Sequence, residues 1–336
     1  MPTSLRAPLA RFFMSPAAVI AAYAATVLIW GTTWFGIKLS LEAIPPLSGA
    51  GFRFILAGGL LYALALVLRV DLRRAAPPWH LVAVLALTMF GINYALTYLA
   101  ETHLASGLVA VLFGTMPFFI FGFAYFMVGE RAGLATLFGA LLALAGVAVI
   151  SLTGDVRGDL LYVAAVLVAS ASSGFANVYL KRFARAEPLA TLPPAMLLAG
   201  LGLLVWGLSV EHVDPARALS PGSLGALLYL AAGGSAFAFY LNHWLLQRIP
   251  SGVMGLSALM IPVLAVAVGV VLGGETFALR DLLGALLVIG GVSLALAPRG
   301  WLLQRGRRLV GRRDQPLERL PDLGVAYSGG FERSEA

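Results

Sequence analysis

The chain has 336 residues, of which 60% are apolar and 12% charged, with a formal net charge of +7 and no cysteine. A water-soluble fold of this length needs more polar surface to cover itself, so composition excludes a soluble globular protein and places the chain in a bilayer. The lack of cysteine excludes disulfides and thiolate metal sites.

Arg6 and Arg11 precede an apolar run at 17–37. That run is too long for a cleaved secretion signal and long enough to cross roughly 30 Å of hydrocarbon as a helix, so it reads as an uncleaved first span. Further apolar runs fall near 47–68, 80–99, 105–128, 133–153, 160–180, 191–210, 223–245, 252–273 and 278–297, giving ten predicted spans. Pro45-Pro46 opens the second and Pro193-Pro194 the seventh, at a position where a missing N–H costs nothing. Lys38 and Lys181 close the first and sixth, with Gly31 and Gly174 at matching depth. Beyond Pro298 the pattern collapses into Arg, Gly, Asp, Pro, Glu and Ser, which predicts a disordered basic tail over 298–336. Its leading arginines suit anionic lipid heads, each attracted by roughly 1 kcal/mol. Nucleic acid is a poor partner for them, because no aromatic-interleaved basic surface accompanies them.

The chain repeats itself. Ser106-Gly107 recurs as Ser251-Gly252, Pro117 as Pro262, Gly129-Glu130 as Gly274-Glu275, and Gly146-Val147 as Gly291-Val292, at a constant step of about 145 positions. Five spans per copy is an odd number, so the second copy runs through the membrane upside down, and the substrate site of such an inverted repeat lies between the units near mid-depth. Arg69, Arg73, Arg74, Arg131, Lys181, Arg182, Arg185 and Arg248 lie in alternate loops, against Lys38, Arg157, Arg217 and Arg280 in the others. That bias places both termini in the cytoplasm.

Helical spacing aligns Trp30, Thr33 and Trp34 in the first span, and Ser173 and Asn177 in the sixth. Polar groups facing lipid would go unsatisfied, so both stripes face a wet cavity or another helix. The third span offers Asn93, Tyr94, Thr97 and Tyr98, and the eighth Phe239, Tyr240, Asn242, His243 and Trp244, aromatic rings with polar tips that suit a cavity for an organic solute. Tyr98, His243 and Trp244 also lie near span ends, where interfacial anchoring competes. Pro117 and Pro262 fall inside the fourth and ninth spans, where each removes a backbone hydrogen bond and bends the helix. Thr115, Met116, Ser257 and Met260 beside them are candidate cavity contacts. Glu130 and Glu275 precede the next helix, where a carboxylate is favoured by roughly 0.3–1 kcal/mol; each either caps and fixes a loop, with Arg131 or Arg280 nearby, or serves a gate or proton role. Arg53 sits well inside a span at a cost of roughly 2.5–3.5 kcal/mol, offset at about 0.3–0.6 per leucine. It either snorkels to the predicted outer surface or binds a substrate carboxylate.

Trp30-Gly31 with Lys38, Arg53-Phe54, Pro117 before Gly129-Glu130, and Gly139 to Gly146-Val147 in a doubled ten-span chain resemble the drug/metabolite transporter superfamily, specifically its EamA-domain exporters. The resemblance covers 18–153 and 159–297 as two five-span repeats. It implies an all-α integral membrane protein of ten helices in two inverted repeats, alternating access, and export of amino acids or related small metabolites from a bacterial cytoplasm across the inner membrane. Multidrug or cation extrusion, or uptake, by the same fold is the alternative. The implied partners are a small-molecule solute and lipid, with no cofactor and no metal. No His-Glu-x-x-His, Gly-x-Ser-x-Gly or phosphate-cradling loop occurs, and the four histidines lack metal-ligand spacing, which argues against an enzyme.

Overall fold

The computed structural model describes residues 15–104, 106–151, 160–184, 187–273 and 279–297. Those residues are all helix and connecting turn, with no strand among them. With so little polar sequence, a backbone surrounded by apolar side chains satisfies its N–H and C=O groups only within its own helix. The helices are α1 (Pro16–Leu41), α2 (Pro46–Val67), α3 (Trp79–Glu101), α4 (Ser106–Phe113), α5 (Met116–Val128), α6 (Leu134–Ser151), α7 (Leu160–Phe183), α8 (Pro188–Val210), α9 (Pro221–Leu246), α10 (Ser251–Gly255), α11 (Ser257–Gly273) and α12 (Leu279–Ala295), with one extra turn at Pro215–Ala218. The expected tail and Glu275 lie outside the described residues, as do the side chains of Trp34 and Lys38.

Proline starts several of these helices. Pro16, Pro46, Pro188 and Pro221 occupy the first turn, where no N–H is needed. Pro193 and Pro194 do not: α8 begins at Pro188, so the pair lies inside it, contrary to the reading of an opening pair. Pro117 departs from expectation the other way. The fourth span breaks at Gly114 and Thr115, and Pro117 stands in the first turn of α5, so its missing N–H falls where none is required. Pro262 does lie inside α11, six residues after a break at Leu256. Gly129 ends α5 with φ 74°, a left-handed cap that glycine adopts without strain.

Among the described residues seven helices are long and apolar enough to cross a membrane, and three shorter apolar helices accompany them, Leu134–Ile150, Ser251–Leu264 and Leu282–Ala295. Their outward faces carry exposed Leu28, Val67, Phe126, Phe138, Leu160, Val205 and Leu286. An apolar exterior of this extent is the reverse of a soluble surface and fits contact with lipid tails.

Two helices of the first half pack along their counterparts in the second. α2 lies along α8 and α6 along α12, while α1 meets α9 and α11 as α7 meets α3 and α5. Glycines set both close pairs. A Cβ built on Gly291 would stand 2.5 Å from Gly139 O and Ala143 N, and one on Gly284 would stand 2.8 Å from Gly146 O. Between α2 and α8, a Cβ on Gly51 would meet Leu204 N at 2.7 Å and one on Gly200 would meet Ile55 N at 2.8 Å. Backbones this close gain dispersion along their whole length, which is how small residues drive helix association where lipid supplies no hydrophobic force.

Two further features echo along the chain. Eight-residue π-helical segments occupy Leu85–Ile92 in α3 and Leu230–Phe237 in α9, at the same step of about 145 positions. Wide turns of this kind concentrate at functional sites. At the far end of α8, Glu211 accepts from Leu47 N and Ser48 N, each at 2.8 Å, capping the N-terminus of α2. Glu211→Ala leaves those donors unpaired, and thermal unfolding in detergent is expected to show a loss of about 1 kcal/mol, in the range of a deleted cap.

Candidate functional site

A cavity of about 90 Å³ lies where both halves of the chain converge. Trp30 and Thr33 reach it from α1, Arg53 from α2, Asn93, Tyr94, Thr97 and Tyr98 from α3, and Met116 from α5. The second half contributes Ser173 and Asn177 from α7, Phe239 and Asn242 from α9, and Ser257 from α11. Eleven of the residues singled out as polar or aromatic in an apolar chain, Arg53 aside, are thus neighbours around one space, with Met116 beside them. Ile37, Phe113, Ile120, Met254, Gly255, Ala258 and Ile261 complete the wall. Nothing in the sequence separates those seven from lipid-facing residues of the same type.

Thr115, Tyr240 and Met260 lie off this wall. Thr115 caps the break between α4 and α5, donating to Leu112 O at 2.6 Å and lying 3.2 Å from Ser170 Oγ. Tyr240 packs against the main apolar core and Met260 against the core around α6 and α12.

The polar residues divide into paired and unpaired groups. Asn242 Nδ2 donates to Asn177 Oδ1 at 3.0 Å, joining α9 to α7, and Asn177 Nδ2 donates to Ser173 O at 2.9 Å. Asn93 Nδ2 donates to Met89 O at 3.2 Å, and Ser257 Oγ to Met254 O at 2.6 Å. Trp30 Nε1, Thr97 Oγ1 and Asn242 Oδ1 are buried without a partner among the described residues, and all three belong to cavity residues. Buried polar atoms without partners are rare in folded chains, and three around one hollow mark a place for water or solute.

Arg53 is 1% exposed. Of the two readings of Arg53, the one that snorkels to the surface does not fit this burial: its Nε donates to Ser235 Oγ at 2.6 Å, Nη1 to Tyr98 Oη at 3.1 Å and Nη2 to Gly234 O at 3.3 Å. Ser235 and Gly234 belong to the π segment of α9, and a Cβ on Gly234 would lie 2.6 Å from Thr33 Cγ2, so Thr33 would have to shift to admit one. The guanidinium carbon lies 5.0 Å from the centre of the Tyr94 ring and 5.7 Å from that of Phe54, a cation–π arrangement. Tyr98, at 1% exposed, and His243, at 0%, are buried rather than interfacial. Proximity to a span end does not mean proximity to the interface when the helix end is itself packed against neighbours.

A second polar group closes the end of the bundle where α5 and α7 terminate. Glu130 pairs with Lys181 at 2.7 Å, and its other oxygen accepts from Ser251 N at 2.8 Å. Lys181 Nζ also donates to Ile249 O at 2.5 Å. The turn before α10 is thereby tied to two helix ends. No group of three His, Asp or Glu side chains among the described residues is placed to hold a metal.

The chain matches the model of the EamA-like transporter family twice, over residues 17–152 and 160–297. It is 30% identical to the inner membrane transporter YedA of Escherichia coli over 80% of this chain and 88% of that one. It is 28% identical to the protein PagO of Salmonella typhimurium over 81% of this chain and 90% of that one. The transporter YoaV of Bacillus subtilis is 27% identical over 79% and 92%. One solved crystal structure superposes with a TM-score of 0.75 at 22% identity, covering 88% of this chain and all 100% of that one, a likeness of fold. With two family matches spanning nearly all of its helical part, the chain belongs to the EamA-like transporter family and is a membrane transporter.

Proposed function

We propose that the chain exports amino acids or related small metabolites across the bacterial inner membrane by alternating access, with the central cavity as the solute site. The observation that carries this reading is the convergence of polar side chains from both halves, three with orphaned buried atoms, on one hollow inside an apolar bundle. Ten membrane passes in two inverted repeats, 18–153 and 159–297, are supported by the matched order of α1–α6 and α7–α12 and by the paired π segments. Two similar units of opposite sense exchange conformations about an axis in the membrane plane, so the cavity opens to each side in turn. The arginine and lysine bias of the loops supports cytoplasmic termini.

Counterflow of labelled amino acids in proteoliposomes, with and without a pH gradient, tests the reading. Because the chain has no cysteine, Asn93→Cys and Asn177→Cys each report accessibility alone. Labelling from both membrane sides that changes with solute is the expected result. Labelling indifferent to side and to solute, with no counterflow of any amino acid, removes the proposal.

A further inference from the structure

Arg53 is the only charged residue on the cavity wall among the described residues, and no aspartate or glutamate faces it there. Its guanidinium carries five N–H groups and stays protonated at any physiological pH. Three of those N–H groups have partners, and all three acceptors are neutral: a serine hydroxyl, a tyrosine hydroxyl and a backbone carbonyl. Among the described residues, at least two N–H groups therefore remain without a protein acceptor and no carboxylate pairs with the positive charge. A buried cation left in that condition is costly, and an incoming anion relieves the cost.

The surroundings narrow the anion. One positive charge neutralises one negative charge, and a planar fork of N–H donors matches the two oxygens of a carboxylate; a phosphate monoester brings nearly two charges to a site with a single cation. Beside the guanidinium stand Tyr94 and Phe54, and Phe239 lies 6.4 Å from Tyr94 and 5.5 Å from Trp30, centre to centre. Aromatic walls next to a single cation fit a solute with an acid group at one end and an apolar body at the other.

From this geometry, and resting on the transport reading above, we infer that Arg53 receives the carboxylate of the transported solute and that the cavity rejects solutes carrying only positive charge. The inference assigns a substrate class to the site: organic acids and zwitterions with an apolar side group.

The test uses the full chain in proteoliposomes and reads binding, by quenching of tryptophan fluorescence, separately from counterflow. Four probes are compared: L-phenylalanine, 3-phenylpropionate, L-phenylalaninol and tetraphenylphosphonium. Expected are saturable binding of the two acids at millimolar concentration or below, and at least tenfold weaker binding of the alcohol and the phosphonium. Arg53→Gln is expected to weaken the acids tenfold or more while leaving phenylalaninol unchanged, with Arg53→Lys between the two. The inference is overturned if phenylalaninol or the phosphonium binds the wild-type chain as well as the acids do, if neither acid binds, or if Arg53→Gln leaves acid binding intact. The wild-type panel decides even if the glutamine variant does not fold. Acid binding without counterflow supports the Arg53 assignment and sinks the transport mechanism; counterflow of the cations alone does the reverse.

Discussion

Replacing Gly291 by leucine is expected to abolish assembly of the bundle. A Cβ at this position would stand 2.5 Å from Gly139 O and from Ala143 N, and 2.9 Å from Ala143 Cα, and every one of these atoms is backbone. No rotamer change relieves a clash with a main chain; α6 or α12 has to move away, and the reciprocal contacts of Gly139, Gly146 and Gly284 are lost with it. Overpacking a tight core costs about 1–3 kcal/mol when side chains can yield, so about 3 kcal/mol is a floor here. The neighbouring Gly290 supplies the control, since a Cβ there meets nothing within 4 Å. Melting followed by fluorescence-detected size exclusion should show Gly290→Leu close to wild type and Gly291→Leu aggregated or absent. Equal melting of the two variants would mean that the seam does not hold the helices together.

The second large effect concerns the polar closure at Glu130. Its carboxylate holds Lys181 at 2.7 Å and Ser251 N at 2.8 Å, joining the ends of α5 and α7 to the start of α10. The side chains of Lys181 and Glu130 are 22% and 25% exposed, so the pair is partly screened by water and stands between a surface bridge of 0–1 kcal/mol and a buried one. About 1–2 kcal/mol is a reasonable share, which shifts a two-state equilibrium by about 5–30-fold. Glu130→Gln and Lys181→Met are each expected to raise the rate at which a thiol reagent added from the cytoplasmic side reaches Ser257→Cys, by about 5–30-fold. The double variant should add little to either single change, because both remove one interaction. Unchanged labelling in all three would reduce the pair to a passive loop contact.

Much of the helical layout was legible because a chain that is 60% apolar has few ways to interrupt itself except at boundaries. The convergence of Trp30, Asn93, Asn177 and Asn242 was legible for the same reason, since polar side chains in such a sequence avoid lipid. What stayed hidden has physical causes. Hydropathy cannot distinguish a side that faces lipid from one that faces protein, so Ile37, Ile120 and Met254 gave no sign of lining the cavity. The breaks at Thr115 and Leu256 and the π segments leave the apolar pattern unbroken. For Arg53 the sequence leaves a surface anchor and a solute contact both open, because depth along one helix carries no information about the α9 segment that covers it. In the sequence Lys181 marks only the end of a span, and its pairing with Glu130 joins residues about 50 positions apart, beyond what local patterning registers.

The α6–α12 contact has a mechanical consequence. Gly139 faces Gly291 and Gly146 faces Gly284 in a crossed, self-matching arrangement, so the two halves grip each other there through main-chain atoms. Main-chain contact of that kind has no slack to take up, so on the proposed alternating-access cycle this junction would stay unaltered and act as the fulcrum, with the leverage falling on the helices that carry Trp30, Asn93, Asn177 and Asn242.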